Sequence, residues 1–256
     1  MYRRPHRIKR KKSILRSRWF WRLILFLVFS GEIIYLVFFF PYFQIKNLTI
    51  FGAKRVVSAD IENFIGKGKG IFLFNSKKTE NEILKKYLLV ESVKIRKKFP
   101  DKLSVQIVER AQNAVWCLNG EPCFNVDKNG IIFEKILVLT YDYIIIKDIQ
   151  PKNEPALGEK IIEPQLLASI INIAKKTSEW GATPETFTIL SQERLNLKIA
   201  DSGEIYFNLK KDLNWQLTEL KTVLENKIPS EKRRKLKYID LRFDRIFIFP
   251  EGIVGN

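Results

Sequence analysis

Residues 23–40 read LILFLVFSGEIIYLVFFF, an apolar run whose one charge is Glu32. Eighteen residues at helical rise cover about 27 Å, close to the hydrocarbon thickness of a bilayer. The run predicts a retained membrane-spanning helix over residues 23–42. A cleaved signal peptide would have an apolar region of roughly 7–15 residues and a small-residue cleavage site, whereas this run is longer and continues into Pro41, Tyr42 and Phe43. Upstream, residues 1–22 hold ten Lys and Arg and no acid. Such a tail stays in the cytoplasm by the positive-inside rule and meets anionic lipid at the membrane surface. Everything beyond the span is then external. Trp19, Trp21, Tyr42 and Phe43 flank the run where interfacial aromatics belong.

The net charge of +17 divides unequally, with +10 in the tail and +7 in all the rest. The basic pI therefore reports topology and lipid contact before nucleic-acid binding. About 213 residues remain outside, enough for one or two domains with real cores. The single histidine, His6, precedes the span, and the two cysteines, Cys117 and Cys123, follow it. That set makes a poor metal site, and no cofactor is expected. A nucleophile elbow and an evident carboxylate pair are both missing, so the sequence reads as a binding module and not an enzyme.

The external chain alternates short strands and helices, an α+β pattern. In residues 43–110, Ile45, Leu48 and Ile50 mark a strand closed by Gly52. Ser58 reads as the N-cap of a short helix, and Thr79-Glu80-Asn81-Glu82 as a capping box opening a second. Ile83, Leu84, Tyr87 and Leu88 would form that helix's apolar face. Two alternating strands follow, joined by Phe99-Pro100-Asp101-Lys102, giving the order β-α-α-β-β. Gly66-Lys67-Gly68-Lys69-Gly70 lacks the spacing of a phosphate loop and reads as a flexible connection.

Residues 111–250 begin with two strands around Asn119-Gly120. A three-residue loop there sets Cys117 opposite Cys123 and permits a disulfide; a two-residue turn sets Cys123 opposite Trp116 and forbids it. Further strands are expected near Ile131–Phe133, Tyr143–Ile146, Phe187–Leu190, Leu195–Ile199, Ile205–Phe207, Tyr238–Phe243 and Ile246–Phe249. Helices are expected from Pro164 and over Asp212–Asn226.

Several motifs in this order resemble the FtsQ/DivIB family of bacterial cell-division proteins. They are Phe99-Pro100-Asp101-Lys102-Leu103, Val108-Glu109-Arg110, Asn125-Val126-Asp127 with Gly130-Ile131-Ile132-Phe133, Leu157-Gly158, and Tyr238-Ile239-Asp240-Leu241-Arg242-Phe243. The resemblance implies a cytoplasmic tail (1–22), a transmembrane helix (23–42), a POTRA-like domain (43–110), an FtsQ-type β domain (111–250) and a short C-terminal tail (251–256). It further implies a single-pass, non-enzymatic scaffold of the septum that binds FtsB/FtsL-like division proteins. On that reading Tyr238, Arg242, Phe243, Ile246, Phe247, Ile248 and Phe249 receive the partner, with the Arg242 guanidinium offered to a partner carboxylate. Asp240 and Arg242 share a strand face, so a surface ion pair is the plainer expectation for them. Glu32 has two readings, a lone carboxylate without a role or a polar contact to another spanning helix. The main rival is a membrane-anchored POTRA protein of export or outer-membrane assembly, but the segment beyond residue 110 has too few strands for a membrane barrel.

Overall fold

The fold was analysed in a computed structural model that describes residues 18–118, 121–136, 143–149, 154–191, 193–228 and 230–251. Most of the basic tail, the Asn119-Gly120 turn and all but the first residue of the C-terminal tail lie outside these residues. The chain forms two compact units: one runs to Lys86 and includes Ser92–Val108, and the other holds Tyr87–Glu91 and the chain from Glu109 onward.

The first unit starts with helix α1 (Arg18–Phe39), the one described helix long and apolar enough to cross a membrane. It begins five residues before the apolar run, so Arg18 and Arg22 are helical. A short turn over Pro41–Phe43 leads to β1 (Asn47–Phe51), α2 (Ser58–Ile65), α3 (Ser76–Lys86), β2 (Val90–Lys98) and β3 (Lys102–Glu109). The sheet order is β1-β3-β2, with β1 parallel to β3. Ile61, Ile65 and Ile83 of the helices and Val93, Ile95, Leu103, Val105 and Ile107 of the strands are buried. Gly52 closes β1 at φ 84°, and a Cβ there would stand 2.1 Å from the Ile107 carbonyl oxygen, so only glycine fits.

Three local expectations are corrected here. Ser58 is the first helical residue of α2; Val57 occupies the N-cap without a side-chain bond. Helix α3 starts three residues before Thr79. Asn75 Oδ1 accepts from the Lys78 N–H in the manner of an N-cap, while Thr79 Oγ1 donates back to the Asn75 carbonyl. Glu80, on the same helix, accepts the Ile95 N–H of edge strand β2 at 2.6 Å. The helix stops at Lys86, so Tyr87 and Leu88 are not on its face. The loop before Asp101 contains a cis Phe99–Pro100 peptide.

The second unit is a nine-stranded mixed sheet. Its strands are β4 (Ala114–Leu118), β5 (Cys123–Val126), β6 (Ile132–Ile136), β7 (Ile145–Asp148), β8 (Pro184–Ser191), β9 (Arg194–Ile199), β10 (Glu204–Phe207), β11 (Tyr238–Asp240) and β12 (Phe247–Phe249). Helices α4 (Pro164–Glu179) and α5 (Leu213–Thr222) accompany them, and α5 extends into a π-type turn over Val223–Lys227. The order is β12-β11-β10-β9-β8-β7-β4-β5-β6. Pro164 opens α4, where its missing N–H costs nothing. Asp212 caps α5 by accepting from the Asn214 and Trp215 N–H groups. Leu167, Ile170, Ile173, Leu217 and Leu220 bury the helices against one sheet face, which offers Phe124, Ile146, Phe187, Leu197, Ile205, Phe207 and Ile239. A fully apolar face of this size dominates the stability of the unit.

The unit's entry is tied by Arg110 and Asp127. Arg110 donates through its backbone to the Leu89 carbonyl, through Nε to the Leu88 carbonyl, and through Nη1 to Asp127 Oδ2. The other Asp127 oxygen accepts from the Asn129 and Ile131 N–H groups. Gly130, at φ 77°, lets the chain turn where a Cβ would stand 1.9 Å from the Ile162 carbonyl oxygen. These contacts give physical content to two of the sequence motifs.

Candidate functional site

Strand β12 lies at one end of the sheet order, pairing antiparallel with β11 (Tyr238 with Phe249, Ile239 with Ile248, Asp240 with Phe247). Among the described residues no strand pairs with its outer side. The strands are shorter than the sequence suggests. Ile246 precedes β12, and Leu241–Phe243 lie beyond β11. Side chains alternate across this edge as pleating requires. Ile246 and Ile248 pack against the helix-covered core. Phe247 and Phe249 point to the opposite, helix-free face and are 52% and 42% exposed; Phe243, in the connecting turn, is 50% exposed.

The helix-free face at this end is aromatic. Tyr206 of β10 stacks on Tyr238 with ring centroids 5.6 Å apart, and Tyr238 stacks on Phe249 at 5.6 Å. Phe243 meets Phe247 edge-on at 5.9 Å. Cations lie over these rings: Arg194 and Arg242 over Tyr206 at 5.0 and 5.5 Å, and Lys237 over Phe249 at 5.5 Å. Such rings combine large apolar area with specific geometry. Burial, reinforced by the Glu204 carboxylate, pushes the Tyr206 phenol above its ordinary range.

Arg242 does not stand free for a partner. Its Nε and Nη2 grip Asp240 Oδ1 and Oδ2 at 2.9 and 2.6 Å, and its backbone N–H adds a bond to Oδ1 at 3.1 Å. Asp240 is buried and Arg242 half-buried. The hydrogen bonds that the guanidinium donates to Asp240 raise its pKa further. The ion pair expected between these two residues is present, but Asp240 is buried and not at the surface. The strand-adjacent pair is an internal clamp that fixes the turn from β11 into Phe243, and what Arg242 offers outward is its stacked plane over Phe243, 5.2 Å from the ring centroid.

The remaining expected site residues lie elsewhere. Cys117 and Cys123 are opposite one another on β4 and β5 and form a disulfide. The Leu118 N–H bonds to the Pro122 carbonyl, the register of the three-residue loop; Asn119 and Gly120 themselves lie outside the described residues. Glu32 is exposed on α1. No group of three or more His, Cys, Asp or Glu suited to a metal occurs among the described residues. Sequence reading missed Tyr206 and Lys237. The stacking partner of Tyr238 comes from a strand more than thirty residues earlier, a register that no local pattern encodes.

Residues 43–110 match the family model described as POTRA domain, FtsQ-type. Similar curated proteins are Cell division protein DivIB of Clostridium acetobutylicum, 37% identical over 97 residues (37% of this chain and 38% of the relative), and Cell division protein DivIB of Clostridium botulinum strain Hall, 30% identical over 132 residues (50% and 49%). The chain spans about half or less of the length of these relatives. The FtsQ-type POTRA domain over residues 43–110 and the similarity to DivIB proteins support membership of the FtsQ/DivIB family.

Proposed function

We propose that this protein is a non-enzymatic, single-pass scaffold of bacterial cell division that receives a partner segment at β12. The observation that carries the reading is an end strand with exposed Phe247 and Phe249 beside a stacked Tyr238. An incoming extended segment pairs with the outer backbone groups of β12, and its alternate side chains rest on the aromatic rungs. FtsB/FtsL-like division proteins are the partner class. Tyr238, Phe243, Phe247 and Phe249 supply contact area, Ile246 and Ile248 hold the strand to the core, and Arg242 shapes the turn. The mechanism is affinity and geometry, and it contains no chemical step.

The tail faces the cytoplasm and both folded units lie outside, at the septum. A Cys117–Cys123 disulfide supports that placement, because such bonds persist in oxidising compartments. A photo-crosslinking residue placed at Phe247 in the full chain in its native membrane tests the reading. Capture of an FtsB/FtsL-like protein from Phe247, and not from Lys175 on α4, is the expected result. Equal capture from both positions, or none from Phe247, removes the edge as the binding site. A compartment-sensitive reporter fused after Asn256 reports the topology independently.

A further inference from the structure

The Gly66–Gly70 loop is bound to the segment that leaves α1. The Ile45 N–H donates to the Lys69 carbonyl, the Gly68 N–H to the Ile45 carbonyl and the Ile71 N–H to the Phe43 carbonyl, each at 2.9 Å, and Gln44 bridges Gly70 antiparallel. This pairing presents the following residues beside the end of the apolar run. Phe72 contacts Phe38 of α1 with ring centroids 5.8 Å apart, Phe43 at 5.3 Å and Phe99 at 5.1 Å. Lys97 Nζ donates to the Phe72 carbonyl at 3.3 Å and holds the rim in place. Leu73 is 64% exposed and Phe99 59%, and Tyr42 and Phe40 beside them are also exposed.

Phe38 belongs to the apolar stretch that fills the bilayer, so rings in contact with it lie at the membrane boundary. Contiguous exposed apolar surface marks an interaction site, and aromatic side chains settle at the headgroup level. Continuity with the lipid-facing surface of α1 identifies the occupant. We propose that Phe72, Leu73 and Phe99 form a lip that seats the POTRA-like unit on the leaflet at the C-terminal end of α1. The Gly-Lys-Gly-Lys-Gly loop is then a brace that sets the unit's tilt on the membrane. This rests on α1 spanning the bilayer.

The test uses the full chain, disulfide intact, in nanodiscs of phosphatidylcholine and phosphatidylglycerol containing nitroxide-bearing lipids. An environment-sensitive fluorophore is attached to one introduced cysteine at a time: L73C, F99C, S92C or L27C. Ser92 is an exposed position on β2, about 20 Å along the strand from Phe99. Leu27 lies within α1. The expected result is quenching at positions 73 and 99 several-fold above position 92, with position 27 quenched as well. Quenching at 73 and 99 no greater than at 92, with 27 quenched, overturns the lip while leaving the span intact. An unquenched position 27 overturns the span and the lip with it. No division protein is present and the quencher is carried by the lipid, so quenching at 73 and 99 reports lipid contact.

Discussion

The helix-free face of the nine-stranded sheet differs between its two ends. Toward β5, Val115, Cys117, Cys123 and Ile145 form a second small core on this face, with Ile136 packed against it, so β4 and β5 are buried on both sides. A disulfide joins them. Toward β12 the same face carries the rings of Tyr206, Tyr238, Phe247 and Phe249, and the last two are exposed. The helix-covered face is apolar at both ends and so does not distinguish them. One end is stapled shut and the other is held by a polar clamp behind an open edge. An edge that stays ordered without being covered is what strand addition needs.

The largest expected effect falls on the clamp. Replacing Arg242 with Ala leaves the buried Asp240 carboxylate with its backbone bond alone. Surface pairs are worth about 0–1 kcal/mol and removing one partner of a buried pair costs about 3–5 kcal/mol. Since Arg242 is half-buried, a loss of about 2–3 kcal/mol is expected on denaturant unfolding. Unchanged stability would mean the clamp does not hold the open end.

Breaking the staple should cost somewhat less. Cys117→Ala with Cys123→Ala releases a loop with a sequence separation of 6, for which the chain-entropy model gives about 2 kcal/mol. Hydrogen exchange should quicken in β4 and β5 and stay constant in β11 and β12. Faster exchange at both ends would show that the sheet opens as one piece and would blunt the contrast.

Phe247→Ser with Phe249→Ser should change stability by only about 1 kcal/mol, because the rings are half exposed and their main loss is one stacked and one edge-on contact. Capture of the partner by a photo-crosslinking residue placed at Phe243, which lies beside Phe247, should nevertheless be abolished. Retained capture from Phe243 with both rings removed would shift the contact to backbone pairing alone.

The smallest effect concerns Tyr206. Its phenol loses a proton later in the folded than in the unfolded chain, first because it is buried and then because of Glu204. The corresponding stability is complete below the ordinary tyrosine value and is lost as pH rises through the raised folded value. Glu204→Gln should bring the absorbance titration of Tyr206 back toward the ordinary value. An unchanged titration would leave burial, with Asp240, as the cause.

Local patterns were a good guide wherever the chain's own neighbours decide the outcome. Pro164 with Leu167, Ile170 and Ala174 marks α4, and the Asp201-Ser202-Gly203 turn joins β9 to β10. They misled where a partner from elsewhere intervenes. The Thr79–Glu82 box has the right residues for a cap, yet Asn75 starts α3 and Thr79 donates to the Asn75 carbonyl instead. Arg242 looks like a surface cation because its clamp depends on how deeply Asp240 is buried, and burial is set by the whole sheet.

By itself the sequence determined the apolar span, the α+β alternation, the POTRA-like element order and the family motifs. All of these rest on periodicity and residue type within a few turns of chain. Tertiary structure alone decided that β7 runs parallel between β4 and β8, that Arg110 meets Asp127, that Tyr206 stacks on Tyr238, and that β12 and β6 are the two end strands. Those outcomes depend on which distant strands share a register, and register is fixed by burying one continuous apolar face against α4 and α5.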